Sequence, residues 1–300
     1  MYIDINSSAR AHQGTYMCMQ ISLIPALNKD CVALIISLLD RSSLRNVAGT
    51  SKAGSAAALP TLFHTVTLRI KYPGDILKFS KSVLRNRLAQ CIRHLTLLTS
   101  EWTMPAMPES ELRDALSSLA NVIASAESLA SLRICPSAQS LFDEAPAVLD
   151  SILLHPPSHS LELANIADVD WLVKHQLTGL RNFSLGFTHW RSDILDLFAI
   201  TAGSATTLEM IHLCLSGTLD PIKFAEGFMP YSKLRMLSIA RLTSSDMAFP
   251  DFHLADLCKA FPNIQFICFC SSNTLTSVPM LSASMHLKNL YVLYSSIHPT

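Results

Sequence analysis

Residues 63–70 read FHTVTLRI, and residues 92–99 read IRHLTLLT. Both stretches contain an apolar residue, two further residues, a second apolar residue, one residue and a third apolar residue. The residue between the last two apolar positions is Thr67 in the first stretch and Thr96 in the second. This alternation of apolar and polar side chains is typical of a β-strand with one buried face. We therefore predict a strand in each stretch.

The same pattern recurs along the chain. Complete copies have their middle apolar residue at Val66, Leu95, Leu132, Phe183, Ile211, Leu237, Ile267 and Leu290, and a shorter copy lies at Leu161 and Leu163. Because 49% of the residues are apolar, the triplet alone also recurs by chance. The apolar–polar alternation within the copies and the helical patterns between them support the interpretation of the triplet as a structural repeat. The mean spacing of about 28 residues is within the period of leucine-rich repeats, about 20 to 29 residues.

The predicted fold class is α/β. Residues 61–300 are expected to form an irregular leucine-rich-repeat-like α/β solenoid with a curved parallel sheet. An ordinary α/β domain with parallel strands predicts the same alternation of strand and helix, so this second architecture stays open. We favour the solenoid.

Composition excludes several classes of protein. The chain has 300 residues, with 23 basic and 23 acidic side chains, so neither a disordered chain nor a broad basic face for nucleic acid is expected. The longest apolar run, residues 31–39, is too short to span a membrane. The eight cysteines include no CxxC pair, which favours a reducing compartment, and we expect a cytoplasmic or nuclear protein.

The first 60 residues differ from the repeats. Residues 1–20 show no periodicity and are expected to be a flexible tail, whereas residues 21–60 are expected to form three short helices. Asn28 or Asp30 is predicted to cap the first helix, Ser42 or Ser43 the second, and Thr50 or Ser51 the third, which Pro60 is expected to end. The buried stripe of the first helix is predicted at Cys31, Leu34, Ile35, Leu38 and Leu39.

Residues 21–70 contain a series of short motifs: Ile24-Pro25, the apolar helix 32–39, Ser43-Leu44, Thr50-Ser51-Lys52 and the segment ALPTLFHTVTL at 58–68. In these motifs the stretch resembles the F-box and first repeat of F-box/leucine-rich-repeat proteins, especially those of mushroom-forming fungi. It implies a non-enzymatic substrate receptor of a Skp–cullin–F-box type ubiquitin ligase. The F-box-like module, residues 21–60, would bind a Skp-family adaptor and through it a cullin, and the repeats would bind a protein target.

Two sets of residues are the candidate binding sites. The adaptor contacts are predicted at Ile24, Pro25, Leu27, Leu34, Ile35, Leu38, Leu39, Leu44 and Val47, about half of which we expect to pack the helices together instead. The strand residues that alternate with the buried ones would line the concave face of a solenoid and contact the target. They are Thr67, Thr96, Arg133, Glu162, Ser184, His212, Ser238, Cys268 and Tyr291.

No GxSxG, GxGxxG, P-loop or HExxH motif is present, so we predict no catalytic residue, metal, cofactor, nucleic-acid partner or membrane partner. Two alternatives remain. A repeat scaffold without adaptor binding is favoured by Ala26, where the family has an acidic residue, and by Gly54, which is expected to weaken its helix by about 1 kcal/mol relative to Ala. An α/β enzyme with a site that the sequence does not reveal is the other.

Overall fold

A computed structural model describes most of the chain between residues 28 and 294. The described residues are 28–70, 73–99, 109–167, 172, 174, 175, 177–187, 200–215, 230–241, 260–271 and 289–294. The predicted tail, residues 1–20, lies outside them.

The described residues form one parallel sheet of nine strands, which confirms the predicted α/β class. The strands follow one another across the sheet in chain order, and each pairs in parallel with the next. They are β1 (Thr65–Ile70), β2 (His94–Thr99), β3 (Ser131–Cys135), β4 (Ser160–Ile166), β5 (Asn182–Phe187), β6 (Met210–Leu215), β7 (Met236–Arg241), β8 (Phe266–Ser271) and β9 (Asn289–Tyr294).

Three helices precede the sheet, and four more connect its first four strands. The first three are α1 (Lys29–Leu38), α2 (Arg41–Thr50) and α3 (Lys52–Phe63). The connecting helices are α4 (Pro73–Arg85), α5 (Glu109–Ala124), α6 (Ala138–Glu144) and α7 (Pro146–Leu154). Short 3₁₀ turns lie at Ala89–Cys91 and Ala202–Ser204.

The repeated apolar positions of the sequence form continuous buried rows across the sheet. The middle positions, from Val66 in β1 to Ile267 in β8, pair in register and are at most 2% exposed. The third positions, from Leu68 to Ile239, form a second buried row. Apolar side chains of α4 to α7 belong to the same core as these rows. The connecting helices therefore cover one face of the sheet.

Polar side chains also link neighbouring strand–helix units. The buried Ser204 hydroxyl donates to the Leu177 carbonyl at 2.7 Å and accepts from the Leu180 N–H at 3.1 Å. The Thr99 hydroxyl exchanges two hydrogen bonds of 2.9 Å with the backbone of Ser137. These bonds satisfy backbone groups at the turns, which would otherwise be buried without partners.

The buried face of α1 differs from the prediction. Ile36 is buried and Val32 and Leu39 pack beside it, whereas Cys31, Leu34, Ile35 and Leu38 are exposed. The helix reads KDCVALIISL, so apolar side chains lie on most of its circumference and the spacing alone does not select one face. Contact with Leu44 and Ala58 selects the Ile36 face.

The helix ends also differ in part from the prediction. The Asn28 side chain caps α1 and Ser51 caps α3, as predicted. The cap of α2 is Asp40, whose carboxylate accepts from the Ser43 N–H at 2.7 Å, because this carboxylate directly precedes the first turn. Pro60 does not end α3, which continues to Phe63. Pro60 is exposed and has no N–H to donate to the Ala56 carbonyl, but the helix forms one further turn after it.

Candidate interaction surfaces

An apolar stripe lies on the outer face of α1. The exposed fractions of Leu34, Ile35 and Leu38 are 62%, 46% and 77%. Residues at i, i+1 and i+4 lie on one side of a helix, so these side chains form one continuous surface, which we call the α1 stripe. Exposed leucine and isoleucine side chains that lie together are typical of a binding surface.

The other predicted adaptor contacts have different positions. Leu44 is 4% exposed and lies in the small core between the three helices, so it stabilises this module and is not accessible to a partner. Leu39 and Val47 are half-buried against the same core. Ile24, Pro25 and Leu27 lie outside the described residues. Among the predicted contacts that the structure describes, the exposed ones are therefore the three of the α1 stripe.

Close packing of α2 against α3 fixes the shape of this helical module. Gly54 is buried, and a Cβ atom at this position would lie 2.8 Å from the Thr50 hydroxyl and closer still to the Val47 carbonyl oxygen. The glycine therefore lets the two helices approach one another. The sequence suggested only that Gly54 weakens α3, because this contact depends on how the helices pack.

The helical module is joined directly to the first strand. Arg41 donates from Nη1 to the carbonyl of Thr65 at 3.3 Å. Partial burial at this contact lowers the pKa of Arg41, and the nearby Arg45 charge lowers it further. Leu59 and Phe63 of α3 pack against the core of the sheet. The module is therefore anchored to the first residue of β1 and to the core of the sheet.

The nine predicted target contacts form a single row across the sheet. Thr67 pairs with Thr96, Thr96 with Arg133, and the pairing continues through Glu162, Ser184, His212, Ser238 and Cys268 to Tyr291. Arg133 is exposed, and Thr67, Thr96, Glu162, Ser184 and His212 are half-buried. We call these six residues the central row.

Two members of the predicted set are not on the surface, and the side chain of Tyr291 lies outside what the structure describes. Ser238 is 6% exposed and Cys268 is 9% exposed. Ser238 makes a hydrogen bond of 3.0 Å with Nδ1 of His212, so its hydroxyl is already used within the sheet. Strand alternation correctly gave the register of these residues, but it does not report whether other parts of the chain cover them.

Charge on the central row is concentrated in one ion pair. Arg133 Nε lies 3.1 Å from Glu162 Oε1, with the two side chains 53% and 36% exposed.

Burial lowers the pKa of His212, an effect that the Glu162 charge opposes. Burial raises the pKa of the Cys214 thiol, so this thiol is not activated as a nucleophile at neutral pH.

A second row, which the sequence reasoning missed, lies immediately before the strands. Its members each precede the first residue of a strand, from β1 to β8: His64, Arg93, Ala130, His159, Arg181, Glu209, Arg235 and Gln265. Each member after His64 donates its backbone N–H to the carbonyl of the preceding member, at N···O distances of 2.7 to 3.0 Å. We call it the edge row. Its members are 22 to 37 residues apart in the sequence, so only the strand register could reveal it.

The described residues contain no group of three or more His, Cys, Asp and Glu side chains placed to hold a metal ion. None of the helices within the described ranges has the length and apolar character that a membrane crossing requires. The chain matches no protein-family model, and no curated protein is significantly similar to it in sequence. The α1 stripe and the two rows are therefore the features from which function can be argued.

Proposed function

We propose that this chain is a non-enzymatic substrate-recognition subunit of a Skp–cullin–F-box type ubiquitin ligase. The helical module binds a Skp-family adaptor, which links it to a cullin. The repeats hold a protein target on the face of the sheet opposite helices α4 to α7. The observation that carries the proposal is the α1 stripe, which leaves three large apolar side chains in water on a module with a very small core.

The energetics of the stripe favour a partner. Complete burial of a leucine or isoleucine side chain contributes roughly 1.5 to 3 kcal/mol. The stripe side chains are already partly covered, so a groove that buries all three would gain about three fifths of the summed value. An amphipathic helix laid into an apolar groove is a common mode of protein recognition. The resemblance of residues 21–70 to the F-box indicates which partner supplies the groove.

The architecture of the sheet supports a leucine-rich-repeat-like solenoid rather than an ordinary α/β domain. Strand order follows chain order from β1 to β9 without a reversal, and helices α4 to α7 lie on the same face. Stacked strand–helix units give this arrangement because each unit contacts only its neighbours. A doubly wound domain instead reverses its strand order and places helices on both faces. In a solenoid, the central row lies on the concave surface.

Co-purification with a Skp-family adaptor tests the proposal. The wild-type chain is expected to retain the adaptor, and a Leu34→Asp/Leu38→Asp variant is expected to lose it, because charges in the stripe cannot enter an apolar groove. Leu154→Asp is the matched control, since Leu154 is 71% exposed on α7 and far from the stripe in sequence. Leu44 is unsuitable for this test because a charge in the core would unfold the module.

Two outcomes would contradict the proposal. One is a folded wild-type chain that does not bind the adaptor, which would favour the repeat scaffold without adaptor binding. The other is a stripe variant that binds the adaptor as tightly as Leu154→Asp does. Far-ultraviolet circular dichroism of each variant shows whether a loss of binding comes from a loss of fold.

A further inference from the structure

The zero net charge of the chain conceals a local excess of basic side chains at one edge of the sheet. The edge row contains three exposed arginines and two exposed histidines, with Glu209 its single carboxylate. The edge of the sheet where the strands begin is therefore basic. The connecting helices carry exposed charges of both signs, since α4 has Lys78, Lys81 and Arg85, whereas the charged residues exposed on α5 to α7 are mostly carboxylates.

The arginines of the edge row are not all neutralised by neighbours. Arg181 Nη1 lies 4.0 Å from Glu209 Oε1, which is the limit of an ion pair, and the two side chains are 58% and 44% exposed. Among the described residues, Arg93 and Arg235 have no carboxylate at ion-pair distance. Two exposed guanidinium groups and a weakly paired third are thus available to an anionic partner.

We propose that the edge row binds an acidic, extended segment of the target protein. The spacing fits such a segment. Arg93 precedes β2, Arg181 precedes β5 and Arg235 precedes β7, so the row from Arg93 to Arg235 covers five strand spacings, about 24 Å. An extended peptide of about seven or eight residues covers the same distance. Guanidinium groups bind carboxylates through directed, charge-assisted hydrogen bonds.

The pattern of charge favours a protein segment over a nucleic acid. Glu209 lies between Arg181 and Arg235 in the edge row, and Glu162 lies on the neighbouring central row. A nucleic acid carries a phosphate at every nucleotide and would be repelled at these positions. A peptide can place neutral or basic residues there and carboxylates beside the arginines. This inference rests on the proposed function because it names the chemistry of the proposed target.

Fluorescence anisotropy with the full chain tests the inference. The probe is a labelled eight-residue peptide of alternating Glu and Ser, compared with a Lys-and-Ser peptide and an oligouridylate of equal length. The acidic peptide is expected to bind, and added salt is expected to weaken its binding. A variant with Arg93→Glu, Arg181→Glu and Arg235→Glu is expected to bind it about tenfold more weakly or worse, because each exposed contact contributes about two- to fivefold.

The matched control carries the same change of charge on α4. Lys78, Lys81 and Arg85 are exposed there, and Lys78→Glu, Lys81→Glu and Arg85→Glu together are expected to change the affinity by less than about twofold. An equal loss in this control, equal binding of the Lys-and-Ser peptide, or tighter binding of the oligouridylate would overturn the inference.

Adaptor binding separates the two proposals. The edge-row variant is expected to retain the Skp-family adaptor, since its changes are not on α1. A chain that binds the peptide but not the adaptor would contradict the proposed function alone. A chain that binds the adaptor but not the peptide would contradict the edge-row inference alone.

Discussion

Replacement of Gly54 by alanine should destabilise the helical module, although alanine is the better helix former. The new Cβ would lie 2.8 Å from Thr50 Oγ1, 3.3 Å from Ser51 Oγ and closer still to the Val47 carbonyl oxygen. A backbone carbonyl cannot move aside as a flexible side chain can, so α2 and α3 must separate. Overpacking of this kind costs about 1 to 3 kcal/mol, and we take the upper end. The higher helix propensity of alanine offsets about 1 kcal/mol of this loss. The expected net loss is about 2 kcal/mol.

Gly49→Ala is the matched control for this prediction. Gly49 lies on α2, and an added Cβ would have no atom within 4 Å. Alanine should therefore stabilise α2 by about 0.5 kcal/mol. Urea unfolding gives the free energy of each variant, and hydrogen exchange over residues 41–63 locates the change in the helical module. If Gly54→Ala stabilises this segment as Gly49→Ala does, the packing of α2 against α3 described here is wrong.

Two further predictions concern the sheet. Ser204→Ala removes the partner of two buried backbone groups, Leu177 O and Leu180 N. It should lower the free energy of unfolding by about 1 to 3 kcal/mol in urea titrations. Thr207→Ser, which keeps its hydroxyl, is the control, and an equal loss in both variants would contradict the role given to the Ser204 hydroxyl. Burial lowers the pKa of His212 from its usual 6.5 in the folded state, so the unfolded chain binds a proton first and stability should fall as the pH drops below 6.5. His212→Gln should lose less stability than the wild type between pH 7.5 and 5.5, and an equal loss in both proteins would refute this reasoning.

The central row was predictable because the alternation of a β-strand fixes which side chains lie on the face opposite the core. Thr67, Arg133 and His212 each lie between two apolar residues, and a period of two places such residues on the opposite face from the core. A shift of register by one residue would bury these polar side chains, so the apolar triplets also align neighbouring strands. The same logic gave the position of Ser238 in the row but not its burial, which depends on the contacts that surround it.

The helical module was less predictable for a related reason. Ile35 and Ile36 are adjacent and equally apolar, yet Ile36 is buried and Ile35 is 46% exposed. Composition cannot distinguish them, because the choice depends on where α2 and α3 place Leu44 and Ala58.

The edge row was missed for a different reason. Arg93, Arg181 and Arg235 are isolated charges in the sequence, and the parallel pairing of the strands brings them into one line.

Hydrogen exchange of the chain with and without a Skp-family adaptor tests the central claim most directly. We expect a stable complex in which the amides of α1, residues 29–38, exchange more slowly than in the chain alone. The central row should exchange at the same rate in both, because it is proposed to bind the target and not the adaptor. Absence of a complex would contradict the account, and so would protection of the central row with α1 unchanged.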